Sequence, residues 1–192
     1  MFMNKPYMIT IEHPVADKYL DITEKGIERV TGHYPQRFIG TTPDNWPPVK
    51  YLTFADKKAE TVNSPEKPWS ETEKACWYSH YTLWKKLAQL DYCCWIFEHD
   101  VRFSRHMGFL PSEDTVKHSP QIVMFGSGIG SGEAYCASPK VLRRWVEEAE
   151  KNPLTYQVDT WLYDFFKKRK HYVPLALGVT YQATKYGTTI QH

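Results

Sequence analysis

An apolar run in this chain ends abruptly in two carboxylates with one residue between them: Trp95-Ile96-Phe97-Glu98-His99-Asp100. Carboxylates spaced this way at the mouth of a strand can share a hard divalent cation through oxygen ligands. Such a cation keeps several waters and grips a diphosphate. The competing reading is a solvated strand end, where acidic residues are common. Other chemistry-bearing residues are scattered along the chain. His80 sits between Trp77 and Trp84 at helical spacing. A glycine-rich stretch runs over 126–132, with Gly130 and Gly132 near its end. It fails the G-x-G-x-x-G dinucleotide fingerprint, because Ser131 and Glu133 stand where a glycine is needed. It reads instead as a loop able to pass close to a sugar or diphosphate, or as a plain surface loop. The basic cluster Lys167 to His171 could meet phosphates, although a solvated helix end is the simpler account.

The elements that must position these residues follow from periodicity and punctuation. Tyr7 to Ile11 is a short β-rich run, and Ala16 to Val30 has helical spacing with Gly32 as its stop. Arg37 to Gly40 and Val49 to Phe54 read as extended, separated by a proline-rich turn over 41–48, and 56–68 reads as a surface loop. Ser70-Glu71-Thr72-Glu73 is a capping box that opens a helix reaching about Leu90, with a stripe of Ala75, Tyr78, Tyr81, Trp84, Leu87 and Ala88. Cys93 to Phe97 and Gln121 to Phe125 are continuous apolar runs, the mark of strands buried on both faces. Val101 and Phe103 resume an extended pattern, and Ala134 to Ala137 reads as extended. Ser138-Pro139 starts a helix carrying Val141, Leu142, Trp145 and Val146 and ending near Asn152. A last helix spans about Val158 to Lys170, and Tyr172 to Leu177 suggests one more strand. Strands alternating with helices predict one α/β layer structure over 1–192, with a mostly parallel central sheet flanked by helices.

Composition narrows the function classes. The chain has 192 residues, 24 Lys and Arg against 22 Asp and Glu, and a net charge of +2, too small to argue for nucleic acid by itself. Aromatic residues reach 15%, with seven Trp and thirteen Tyr, a density that suits either a core or a cleft that stacks on rings or sugars. Trp46, Trp69 and Tyr186 fall in loops and tail and are the rings expected to remain free for stacking. No stretch approaches a membrane span of about 20 apolar residues. Met1 to Ile11 does not read as a secretory leader. Cys76, Cys93, Cys94 and Cys136 form no C-x-x-C pair, so a zinc ribbon is not expected and a reducing cytoplasm is.

Four segments in order resemble glycosyltransferase family 25, the lipopolysaccharide-type glycosyltransferases. They are Ala75-Cys76-Trp77-Tyr78-Ser79-His80-Tyr81-Thr82-Leu83-Trp84, like the family's helix with a Ser-His pair and a following Trp; Trp95 to Val101, in the place of its apolar strand and Glu-Asp-Asp motif; Gly132 to Ser138, like its Gly-x-x-Ala-Tyr-x-x-Ser segment; and Gln157 to Leu162, like its Val/Ile-Asp-x-x-Leu segment. His99 replaces the middle acidic residue, while Glu98 and Asp100 remain.

The resemblance implies a GT-A-like (Rossmann-like) fold and metal-assisted, inverting transfer of a sugar from a nucleoside-diphosphate sugar, a UDP-sugar first, to a hydroxyl acceptor. Mn2+ or Mg2+ on Glu98 and Asp100 would neutralise charge growing on the leaving diphosphate. Asp159 is the expected base, with an N-terminal helix cap as its alternative role. His80 is expected to touch donor phosphate or acceptor, or else to be a hydrogen-bonded interior histidine. His99, on the opposite side of an extended strand from Glu98 and Asp100, is expected to line the donor site with Gly130 and Gly132. The acceptor class stays open among a glycan, a lipid-linked sugar and a modified DNA base, and a homodimer is possible. Two other functions compete: a glycosyltransferase acting on hydroxylated bases in DNA, and a non-catalytic nucleic-acid-binding module.

Overall fold

The computed structural model of the chain describes residues 5–47, 51–58, 68–103, 110 and 134–162, with the backbone of 123–125 and 180–182. The chain begins with β1 (Pro6–Thr10) and α1 (Pro14–Thr31). Pro14 suits the first helical turn, where its missing N–H has no intrahelical acceptor to reach. The His13 ring accepts from the Val15 amide at 3.2 Å. Gly32 closes α1 at φ 74°, a left-handed position that glycine adopts without steric cost, and donates to the Glu28 carbonyl at 2.8 Å. Next come β2 (Gln36–Ile39), α2 (Glu71–Leu87), β3 (Cys94–Glu98) and β4 (Val101–Phe103). They are followed by β5 (Val123–Phe125), β6 (Ala134–Ala137), α3 (Pro139–Lys151), a helical stretch over 158–162, and β7 (Thr180–Gln182).

The main sheet has the order β2-β1-β3-β6-β5. β1 is parallel to both β2 and β3; β6 is antiparallel to both β3 and β5, so only β6 runs against the other four. The result is the mixed α/β architecture with a mostly parallel open sheet that strand–helix alternation predicts. Alternation along the buried strands divides the core in two. Tyr7, Ile9, Cys94 and Ile96 pack with α2 and α3, while Met8, Trp95 and Phe97 pack with Ile27 and Val30 of α1. β4 leaves the main sheet and pairs with β7.

Both well-signalled helix starts form as expected. Ser70 and Glu73 make the reciprocal capping box, and Ser138 caps α3 with Pro139 behind it. Elsewhere the structure differs. α2 ends at Leu87 and is buried on nearly every side, including Trp77, Ser79, His80 and Leu83 outside the expected stripe. Strand residues Glu98 and Tyr135 meet His80, Tyr156 and Trp161 meet Trp77, and Thr41 meets Ser79, so a single apolar stripe understates its contacts. Residues 51–54 are not a strand; one bridge joins Phe54 to Leu154. Trp46 and Trp69 are not free for stacking. Trp46 meets Tyr78 edge-on at 5.5 Å, and Trp69 packs on Phe54 at 5.0 Å while its Nε1 donates to the Ala55 carbonyl at 2.7 Å. Tyr186, Tyr172 to Leu177, the basic cluster over 167–171 and the expected helix beyond 162 lie outside the described residues.

Candidate functional site

The chain lays β2 on one side of β1 and then crosses through α2 to place β3 on the other. Ligands of open α/β sheets bind beyond the strand carboxyl ends at such a reversal. β3 ends there in Glu98, which is registered opposite Ile9 near the end of β1. Because side chains alternate, Glu98 follows Cys94 and Ile96 onto the face covered by α2. Cys76, His80 and Trp84 stand four residues apart on α2 and form one ridge along that face. Tyr135 of β6 is the cross-strand partner of Ile96 and therefore points the same way.

These residues meet in a buried polar chain. Trp84 Nε1–H donates to Tyr135 Oη at 2.7 Å, Tyr135 Oη lies 2.8 Å from His80 Nδ1, and His80 Nε2 lies 3.1 Å from Glu98 Oε1. One assignment of protons satisfies every member: the Tyr135 hydroxyl donates to Nδ1, and the His80 proton sits on Nε2 and donates to the carboxylate. Burial pushes the Tyr135 phenol well above its ordinary range, against the opposing effect of the Trp84 hydrogen bond, so it keeps that proton. The chain is 0–1% exposed up to the imidazole and opens slightly at Glu98, at 7%.

After Glu98 the strand gives way to a turn at 99–100, which changes where the next two side chains go. His99 is buried and hydrogen-bonded to the Ile9 backbone; burial lowers its pKa below the usual imidazole value. Asp100 lies close enough to Glu98 to feel its charge. It is 4% exposed, and its Oδ1 is buried without a hydrogen-bond partner. Burial, then the neighbouring Glu98 charge, pushes its carboxyl up to about 7. α1 fixes this turn from below. Thr23 Oγ1 donates to the His99 carbonyl at 2.5 Å and accepts from Arg102 at 2.6 Å, and Arg102 lies over the Tyr19 ring at 4.9 Å.

Cys76 completes the site. Its thiol is pushed well above the ordinary value by burial, and then by the charges of Glu98, Asp159, Asp100 and Glu73. Asp159 therefore lies within electrostatic reach of Cys76, on the second residue of the helical stretch over 158–162. There the Trp161 amide bonds the Gln157 carbonyl at 2.8 Å. Cys76, His80 and Glu98 bring one ligand atom each within 4.8 Å of one another. The structure thus gathers Glu98, Asp100 and His80 at the end of β3, with Asp159 near enough to Cys76 to act on its thiol, and places His99 against β1. Gly130 and Gly132 lie outside the described residues. Tyr135 and Cys76 were not expected in the site. The signal for Cys76 was available, since a Cys four residues before a His on a helix shares its face; Tyr135 carried no such signal, because its place depends on strand register.

Residues 36–127 match the family model of glycosyltransferase family 25 (LPS biosynthesis protein). The match spans the first two of the four motif segments, bears out the family resemblance there, and supports a glycosyltransferase in general terms. The matched segment contains Cys76, His80, Glu98 and Asp100; Tyr135 and Asp159 fall beyond it. No curated protein matches the chain. Among the described residues no helix is long and apolar enough to cross a membrane.

Proposed function

We propose that this chain transfers a sugar from a nucleoside-diphosphate sugar to a hydroxyl acceptor with inversion, assisted by a divalent cation at Glu98 and Asp100. The observation that carries the reading is Asp100 Oδ1, a buried carboxylate oxygen with no partner beside a second buried carboxylate. Two acidic groups held together out of water repel each other, and a hard cation removes that penalty while using the lone pairs left over. Mn2+ or Mg2+ bound here would neutralise charge on the departing diphosphate.

The chain's own residues account for the rest. The reversal of strand order between β1 and β3, where open α/β sheets bind ligands beyond their strand ends, supports a donor diphosphate there. His80 holds one Glu98 oxygen in a fixed direction, which orients the carboxylate for a cation. In this reading it positions Glu98 from within the protein instead of meeting donor or acceptor. His99 anchors the turn on Ile9, and Asp100, the next residue of that turn, feels the Glu98 charge. Asp159 is the group offered as base for the attacking hydroxyl, since it lies on the acidic side of the site yet belongs to a different element from the metal pair. Calorimetry with uridine diphosphate and Mn2+ is the test. Binding that requires Mn2+ and disappears in Asp100→Asn is expected; nucleotide binding that ignores the metal, or none at all in the wild type, would refute the reading.

A further inference from the structure

We propose that Cys76 Sγ, His80 Nε2 and a Glu98 carboxylate oxygen form a binding site for a borderline transition-metal ion of the Zn2+ class. This site goes beyond the oxygen-only pair of Glu98 and Asp100 and does not depend on the sugar-transfer reading. Three observations carry it. First, all three ligand atoms already lie within 4.8 Å of one another. Ligands on a tetrahedral zinc stand about 3.4–3.6 Å apart, from Zn–S and Zn–N/O bonds of about 2.3 and 2.1 Å. His80 Nε2 and Glu98 Oε1, at 3.1 Å, are near that separation, so only Sγ needs to draw in. Second, the ligand set is selective. Thiolate and imidazole favour zinc, whereas magnesium and manganese favour carboxylate and water. Third, the outer partners are built. His80 Nδ1 faces Tyr135 Oη, itself held by Trp84, so the ring is oriented with Nε2 aimed at the cluster.

Binding balances simply. The ion takes the Cys76 sulfur as thiolate and releases its proton to solvent. The His80 ring proton moves from Nε2 to Nδ1 and donates to Tyr135 Oη, whose own hydroxyl proton rotates away from Nδ1. Three protein ligands leave the fourth position for water, the arrangement of open zinc sites. Because Glu98 belongs to both ligand sets, zinc bound here competes with a hard cation at Asp100.

The test uses the full chain, stripped of metal and kept reduced without oxygen, and titrated with Co2+ as the probe. One equivalent is expected to produce a near-ultraviolet thiolate-to-cobalt charge-transfer band that added Zn2+ removes. The band is expected to vanish in Cys76→Ser and to survive in Asp100→Asn, the variant expected to lose metal-dependent nucleotide binding. X-ray absorption of the zinc-loaded wild type should show a single sulfur neighbour beside nitrogen and oxygen, and it decides the matter if Cys76→Ser does not fold. A band that persists in Cys76→Ser would assign the thiolate to Cys93, Cys94 or Cys136 and overturn the proposal. So would loss of the band in Asp100→Asn, or a zinc shell without sulfur.

Discussion

Replacing Tyr135 by Phe removes one oxygen atom and should cost far more than a surface hydroxyl. Tyr135 Oη is the joint between Trp84 Nε1 at 2.7 Å and His80 Nδ1 at 2.8 Å. Trp84 is fully buried and His80 is 1% exposed, so neither can turn to water. Deleting the hydroxyl strands two buried polar groups, each worth about 1–3 kcal/mol when left unmade. Part is recovered, because Phe has no hydroxyl of its own to desolvate. The net loss expected for the metal-free protein is about 2–4 kcal/mol. For a chain of this length that lowers Tm by roughly 5–12 °C, or moves a urea midpoint by about 1–2 M for a slope near 2 kcal/mol/M. A double-mutant cycle with Trp84→Phe separates the hydrogen bond from the cavity the smaller ring leaves, since the cavity occurs with and without the hydroxyl. Coupling of at least about 1 kcal/mol is expected. A Tyr135→Phe cost under about 0.5 kcal/mol, or additive single effects, would show that the polar chain is not energetically connected.

Three further outcomes follow from contacts away from that chain. Glu24 is buried and accepts two hydrogen bonds from Arg37, one of them at 2.8 Å, and one from Tyr34, and the Arg37 hydrogen bonds hold its carboxyl below the ordinary 4.5. Its stabilisation is therefore complete above about pH 4.5 and fades as pH falls through the depressed folded value. Glu24→Gln should lose about 1–2 kcal/mol at pH 7, because the Arg37 it leaves behind is half exposed and keeps its hydration. The difference should vanish in strong acid; equal denaturation midpoints at pH 7 would contradict it. Gly40→Ala would place a Cβ 2.6 Å from Ser79 Oγ, which binds the Thr41 amide at 2.8 Å, and is expected to cost about 1–3 kcal/mol. Adding Ser79→Ala should return part of that loss in a thermal melt, whereas no rescue would place the strain elsewhere. Gly26→Ala drives a Cβ to 2.6 Å from the Phe103 ring, so it should lower Tm, and Phe103→Leu in the same chain should restore part of the loss.

Sequence alone determined the local elements, because their signals are carried by neighbours in the chain. Ser70 with Glu73 and Ser138 with Pro139 start helices whatever surrounds them, and Gly32 stops α1 because its backbone conformation is cheap only for glycine. The run Cys93–Phe97 announced a strand buried on both faces, found at Cys94–Glu98, and its abrupt end marked Glu98 and Asp100 as worth testing for metal. Motif order also carried the family resemblance, which the match over 36–127 shows.

Tertiary structure decided what each polar group faces. An i, i+4 spacing puts Cys76, His80 and Trp84 on one ridge, but only packing α2 over β3 and β6 sets that ridge against Glu98 and Tyr135. His80 thereby became a buried, hydrogen-bonded histidine, and the turn at 99–100 set His99 against the Ile9 backbone. Trp46 and Trp69 looked free because they lie in loops, yet both are drawn against aromatic rings of the core. The physical reason is the range of the forces. Caps, turns and periodicity act over a few residues and are written in order along the chain. Register, burial and the desolvation of a carboxylate arise between segments tens of residues apart, and they exist only once those segments have met.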